Sequence, residues 1–281
     1  MNKVILIMID GCRPEAIGTG RMPNLETVMK NGSYTLKAET VTPSITLPAH
    51  FSIFTSLKPL DHNVLTNTAR PDVSPSAKTI MELARYAGKT TTMFYCWEQL
   101  RNLNPAGSLD WSIFIAERPG HNTDSEVAAA AGRFISLYHP DVCFVYFHSA
   151  DTAGHAHGWM SEPYLKALEN ADAALGSLMQ SLNGTQGPGY HLIVQSDHGG
   201  SGYHHSDPSP ETLTIPWIAM GPYIRKNHVI EQPVSVLDTA PTMARLLDIP
   251  LHYGWTGSPV EEILLGHCQG VGDFGAVAKT A

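Results

Sequence analysis

Three carboxylates stand at the ends of hydrophobic runs in this chain. Residues 4–9 run into Asp10, residues 142–148 lead to Asp151, and residues 191–195 lead to Asp197. In an open α/β sheet, ligands bind beyond the carboxyl ends of the strands, so the three side chains are expected in one crevice. His155 follows Asp151 by four residues and His198 follows Asp197 directly. Carboxylate oxygens and imidazole nitrogens together are donors that divalent cations accept. The pattern reads as a two-metal enzyme.

Each segment has its own local logic. In Asp151-Thr152-Ala153-Gly154-His155-Ala156-His157-Gly158, a glycine before the histidine lets a loop bring Asp151 and His155 onto one ion, with His157 as a third ligand or a substrate contact. In Ser196-Asp197-His198-Gly199-Gly200, adjacent Asp and His side chains can face one metal only from an irregular turn, which the glycines permit. His204 and His205 follow shortly.

The fourth segment, Thr42-Pro43-Ser44-Ile45-Thr46-Leu47-Pro48-Ala49-His50, leads into an apolar run that predicts a helix with Thr46 at or near its N-cap. Free backbone N–H groups and the helix dipole favour an anion there. A hydroxyl so placed can attack phosphorus when a metal ion lowers its pKa. Capping alone explains a single threonine, and Asp–His pairs are ordinary in polar loops. Four separated segments, each offering such residues near strand ends, make the joint pattern specific.

The whole chain narrows the class. It has 281 residues, 43% of them hydrophobic and 16% charged, with a net charge of −8, which fits a soluble globular protein and argues against binding to nucleic-acid polymers or a membrane surface. Cys12, Cys96, Cys143 and Cys268 form no CxxC pair, so a reducing compartment is expected. The apolar run at residues 4–9 is too short for a secretory signal and lacks a small-residue cleavage site, and no stretch reaches transmembrane length. A cytoplasmic protein is expected.

Strand and helix signals alternate, predicting a three-layer α/β/α sandwich with a mostly parallel central sheet. Strands are expected at 4–9, 89–95, 141–147, 190–195 and 213–220. Helices are expected from Pro23 to Gly32, from a Ser76 cap to Gly88, from a Thr123/Glu126 capping box to His139, from a Ser161 cap to Gly184, and over 236–247. Residues 1–281 are read as one catalytic domain. The least regular stretch, 67–119, is the candidate for a small cap or insertion, and the tail after Leu265 is expected to be loosely held.

Together the segments resemble the alkaline phosphatase superfamily, and within it the type I phosphodiesterase/nucleotide pyrophosphatase branch. The resemblance rests on Asp10-Gly11-Cys12-Arg13, the 43–50 segment, Leu57-Lys58-Pro59 leading to His62, the Asp151–Gly158 block and Ser196-Asp197-His198-Gly199. It spans roughly residues 3 to 250 and implies an alkaline-phosphatase-like fold. It implies one divalent cation held by Asp151, His155 and His205, with His204 as the alternative to His205. A second would be held by Asp10, Asp197 and His198, with the Thr46 oxygen joining it as nucleophile. Asn67 matches an asparagine that helps hold a phosphoryl oxygen.

Mixed Asp/His donors suit zinc, with manganese or iron as alternatives. The implied substrate is a small-molecule phosphate ester. Rival readings within the superfamily are a phosphonoacetate-type phosphonate hydrolase and a phosphomutase; a metal-stabilised binding module is the non-catalytic rival. A sulfatase would need Cys/Ser-x-Pro-x-Arg, where this chain has Thr46-Leu47-Pro48-Ala49-His50. Ala49 and Ser201 depart from the asparagine and histidine common at those positions in relatives, which leaves the ligand set intact and the leaving group open.

Overall fold

The computed structural model describes residues 2–183 and 189–266. Its strands are β1 (Lys3–Ile9), β2 (Ser33–Glu39), β3 (Thr91–Tyr95), β4 (Trp111–Phe114), β5 (Val142–Phe147), β6 (Tyr190–Gln195), β7 (Thr214–Met220) and β8 (His228–Val229). They form one sheet in the order β4-β3-β5-β1-β6-β7-β2-β8. All pairings are parallel except those of β7, which runs antiparallel to both β6 and β2.

The helices are α1 (Pro23–Lys30), α2 (Thr46–Thr55), α3 (Pro59–His62), α4 (Ile80–Tyr86), α5 (Thr123–Tyr138), α6 (Ser149–His157), α7 (Glu162–Asn183), α8 (Pro210–Leu213) and α9 (Thr239–Leu247). One layer is built on α7, against which α1, α5 and α6 pack; the other joins α2, α4 and α9. Because helices cover both faces, the central strands are apolar along their length rather than alternating. Val4 to Ile9, Val142 to Phe147 and Leu192 to Val194 are all buried.

The α/β sandwich expected from the alternating signals is the architecture observed. Several local details differ. Thr79, not Ser76, caps α4, its hydroxyl accepting the Glu82 N–H at 3.2 Å. Asn122 caps α5 by accepting the Ser125 N–H at 3.1 Å, one residue before the expected Thr123. The last helix begins as a 3-10 turn, Val236–Asp238, before α9. Ser161 does meet the first turn of α7, accepting the Tyr164 N–H at 3.4 Å. Gly184 and residues 267–281 lie outside the described residues.

Strands β2, β4 and β8 lack the long apolar run of a central strand: β2 alternates buried and partly exposed residues, β4 is a half-exposed edge, and β8 is two residues long. The stretch 67–119, expected as a cap, supplies α4, β3 and β4 and so extends the sheet. Its irregular pattern comes from the edge strand and a 3-10 turn at Glu98–Asn102.

Two contacts set the spacing of α1 and β2 against their neighbours. Asp172 on α7 accepts the Asn24 and Leu25 N–H groups at 3.1 and 2.8 Å, satisfying the free N-terminus of α1. Gly32, between α1 and β2, lies so close to the Ala219 carbonyl of β7 that a Cβ would collide with it. Replacing Gly32→Ala is expected to destabilise the fold by about 1–3 kcal/mol, the usual cost of overpacking. This would be read as a lower urea midpoint at unchanged slope; an unchanged midpoint would show that the turn does not approach β7 this closely.

Candidate active site

The order β5-β1-β6 puts three parallel strands side by side, and each delivers an acid at its carboxyl end. Backbone bonds carry the register past the strand ends. The Asp10 N–H donates to the Phe147 carbonyl at 2.9 Å, and the Gly11 N–H to Asp197 Oδ1 at 3.3 Å. Gly11 has φ +67°, a conformation in which a side chain is strained, and turns the chain away beneath the site. Ser196 Oγ accepts the Cys12 N–H at 2.8 Å and lies 2.7 Å from the His198 carbonyl, tying the β1 and β6 ends together.

Two groups of donors result. Asp10, Asp197 and His198 form an inner group, all three fully buried, and Asp151, His155 and His205 form an outer group. Within each group the ligand atoms lie within 4.8 Å of one another. Asp151 and His155 sit on α6 rather than on the expected loop, and their i, i+4 spacing places them on one helix face. His148 Nε2 also comes within 3.8 Å of Asp151. His205 joins the outer group, whereas His204 is exposed in a tight turn with Ser201. His157 is exposed at the end of α6, outside both groups.

The three histidines are held in one tautomer. His155 Nδ1 donates to the Tyr203 carbonyl at 2.9 Å, His198 Nδ1 to that of Gly199 at 2.8 Å, and His205 Nδ1 to that of Ser44 at 2.6 Å. A carbonyl only accepts, so each Nε2 is left with its lone pair facing the acids, the arrangement of metal-ligating histidines. His198 Nε2 lies 3.2 Å from Asp10 Oδ1, and His155 Nε2 lies 3.5 Å from Asp151 Oδ1. The His155 and His205 Nε2 atoms face each other at 3.2 Å, and two lone pairs so placed need a proton or a cation between them. The His198 and His205 rings stack at 3.7 Å and join the two groups.

The electrostatics point the same way. Asp10 Oδ1, Asp151 Oδ1 and Asp197 Oδ2 are buried without a hydrogen-bond partner, a costly state for carboxylate oxygens. Burial, with the charges of Asp197 and Asp151, holds the Asp10 carboxyl well above its ordinary range. Burial also pushes Asp197 up, but His198 and His50 outweigh it and leave that carboxyl below its ordinary range. Burial and the neighbouring His198 push His205 down to about 4, keeping the ring neutral and able to ligate. Orphaned acid oxygens and imidazole nitrogens aimed at the same spaces fit divalent cations.

Thr46 is the first residue of α2, not its cap; Ile45 is the N-cap. The Thr46 hydroxyl, almost buried, donates to His198 Nε2 at 3.2 Å and so borders the inner group. Asn67 stands at the same helix end, its Oδ1 accepting the Leu47 N–H at 2.9 Å. Because an N–H needs an acceptor, this bond orients the amide and leaves Nδ2 free to donate.

The sequence reading passed over several residues that hold the site. His50 lies one turn beyond Thr46, its Nδ1 donating to the Thr46 carbonyl at 2.7 Å and standing 3.5 Å from Asp197 Oδ2. The i, i+4 spacing from Thr46 was the available signal. Tyr146 donates its hydroxyl to Asp10 Oδ2. Asp124 on α5 accepts the His148 N–H at 2.9 Å at the start of α6. Trp159 is buried behind the outer group. Its indole N–H donates to the Gly11 carbonyl at 2.9 Å, and its ring meets His155 edge-on. Gly154 and Gly200 make room for that ring, since a Cβ at either would strike it.

Comparisons with known proteins agree with this geometry. Residues 4–85 and 76–220 match the family model described as type I phosphodiesterase / nucleotide pyrophosphatase. Human ectonucleotide pyrophosphatase/phosphodiesterase family member 1 is 27% identical over 217 residues, 69% of this chain and 23% of that protein. The venom phosphodiesterase of Macrovipera lebetinus is 26% identical over 221 residues, 70% of this chain and 25% of that protein. The chain thus spans about a quarter of the length of these curated relatives.

Among solved structures, murine ectonucleotide pyrophosphatase/phosphodiesterase 5, an inactive form in complex with AMP, superposes with TM-score 0.78 at 16% identity, covering 94% of this chain and all of that one. A 2-O GAG sulfatase superposes with TM-score 0.79 at 14% identity, covering 93% of this chain and 74% of that one. These last two likenesses concern the fold. With the family model matched across most of its length, the chain belongs to the type I phosphodiesterase / nucleotide pyrophosphatase family.

Proposed function

We propose that this protein is a metal-dependent hydrolase of phosphate esters, of the phosphodiesterase type, with Thr46 as nucleophile. In this reading the inner and outer groups each hold one divalent cation. The observation that carries it is the placement of the Thr46 hydroxyl, 3.2 Å from His198 Nε2 at the start of α2 and bordering the inner group's unpaired acid oxygens. When bound, two such cations would neutralise phosphoryl charge, favour loss of the threonine proton and stabilise the departing oxygen. The Asp/His donor set suits zinc, and manganese or iron would also be accepted.

The chain's own residues supply the remaining steps. The Thr46 oxygen forms a bond to phosphorus as the bond to the ester oxygen breaks, and its proton passes to solvent. Water then hydrolyses the phospho-threonine and regenerates the hydroxyl. Asn67, anchored through Oδ1 on the Leu47 N–H, offers Nδ2 to a phosphoryl oxygen. His50 holds the Thr46 carbonyl and keeps the first turn of α2 in place. The AMP complex of the murine structural neighbour supports a nucleotide-type ester as substrate. The likeness to a sulfatase does not extend to chemistry, because Thr46-Leu47-Pro48-Ala49-His50 lacks the Cys/Ser-x-Pro-x-Arg that enzyme type needs.

With zinc or manganese supplied, wild type is expected to hydrolyse bis-p-nitrophenyl phosphate faster than p-nitrophenyl phosphate. Thr46→Ala should lose about a thousandfold or more in turnover while binding the same number of metal ions. Full activity in that variant would exclude a threonine nucleophile. Turnover of neither ester by metal-loaded wild type would instead favour a phosphonate hydrolase or mutase.

Cation binding should also stabilise the fold by relieving the carboxylate repulsion. At ion concentrations a hundredfold above Kd the gain is about 2.7 kcal/mol per site, so a chelator should lower Tm. Asp151→Asn and His155→Ala should each reduce bound metal without lowering Tm further in chelator. A Tm indifferent to chelation, or wild-type metal content in both variants, would count against the outer group as a metal site.

A further inference from the structure

The proposed reaction leaves a third set of donors unused. It stands at the carboxyl ends of β4, β3 and β5, the neighbouring strands on the other side of Asp151. Cys96 follows β3, Glu117 follows β4 and His148 follows β5. A thiol sulfur, a carboxylate oxygen and an imidazole nitrogen lie there within 4.8 Å of one another. The topology that gathers the acids of β5, β1 and β6 thus gathers a second, softer donor set one strand pair away.

The environment of these groups suits a cation. Cys96 is 5% exposed, and its thiol has no hydrogen bond to another residue among the described residues. The side chain of Glu117 is about half exposed, and its only ion-pair partner among the described residues is His148, at 2.9 Å through Nδ1. Arg118 next to it is engaged by Glu126, so no arginine or lysine among the described residues pairs with Glu117. Trp97 stacks on the His148 ring and closes one side, at 6.3 Å between centroids. On the other, Glu117 borders an open cavity of about 630 Å³ that also meets His121 and Thr152. A His148–Glu117 ion pair accounts for two of these groups and leaves the thiol unexplained.

We propose that Cys96, Glu117 and His148 form a third cation site, selective for a thiophilic divalent ion such as zinc, with a further coordination position open to water. Thiolate, imidazole and carboxylate are the donors zinc combines, and the thiol distinguishes this site from the inner and outer groups, which offer only oxygen and nitrogen. His148 is a wall shared with the outer group, its Nε2 lying 3.8 Å from Asp151 Oδ2. The thiol loses its proton to solvent as the ion binds.

Cobalt(II) titration of the chelator-stripped protein reads this site directly, because only a thiolate ligand gives a sulfur-to-cobalt charge-transfer band in the near ultraviolet. The band is expected to saturate by three equivalents per chain, the inner and outer groups taking up to two of them, and to be bleached by zinc. Cys96→Ser, close in size to the native residue, should abolish it while leaving ester hydrolysis intact. Glu117→Gln should weaken cobalt binding at the band by about tenfold or more. No band at saturating cobalt would overturn the site and leave His148 and Glu117 as an ion pair. A band that survives in Cys96→Ser would overturn it equally by placing the thiolate elsewhere. Neither reading depends on turnover, so the site stands or falls apart from the hydrolase assignment.

Discussion

Three carboxylates packed at the ends of three adjacent strands is the arrangement on which the rest of this structure depends. Like charges about 4 Å apart repel by about 4 kcal/mol at the intermediate dielectric of a protein near its surface, and burial removes the water that would screen them. Asp10 registers the strain as a carboxyl held well above its ordinary range. The protein answers with donors: the Tyr146 hydroxyl on Asp10, the Gly11 N–H on Asp197, and His198 between them. The oxygens still unpaired are those facing the two donor groups, so the fold is built around positive charge that its own side chains do not provide.

Holding such a site requires rigid surroundings, and these are assembled from small, local fits. Trp159 fills the space behind the outer group because Gly154 and Gly200 carry no side chain, and its N–H fixes the Gly11 carbonyl just after Asp10. Asp124 binds the first N–H groups of α6, setting the helix that presents Asp151 and His155. Backbone carbonyls of Tyr203, Gly199 and Ser44 choose the histidine tautomers. The residues that offer donors and the residues that aim them come from different parts of the chain, joined by the sheet.

Much of this was legible from residue order. Apolar runs ending in Asp10 and Asp197 identified the central strands and the acids, since a strand covered on both faces must be apolar throughout. The i, i+4 pair Asp151 and His155 was legible too, although a helix rather than a loop presents it. What escaped were polar residues whose partners are distant in sequence. Tyr146 and Trp159 read as core aromatics until the fold brings Asp10 to one and the Gly11 carbonyl to the other. The stretch 67–119 read as irregular for a related reason: an edge strand such as β4, half exposed, has no strong hydrophobic signature of its own.

By itself, then, the sequence determined the donor types, their place after strands and the layered α/β class, because hydrophobic periodicity and residue chemistry are properties of short segments. Only the tertiary structure decided which donors share a space. It grouped His205 and not its neighbour His204 with Asp151 and His155, set Thr46 against His198, and drew Cys96, Glu117 and His148 together. These outcomes rest on strand order, and strand order follows from how helices of many residues bury their faces on the sheet, which no local pattern encodes.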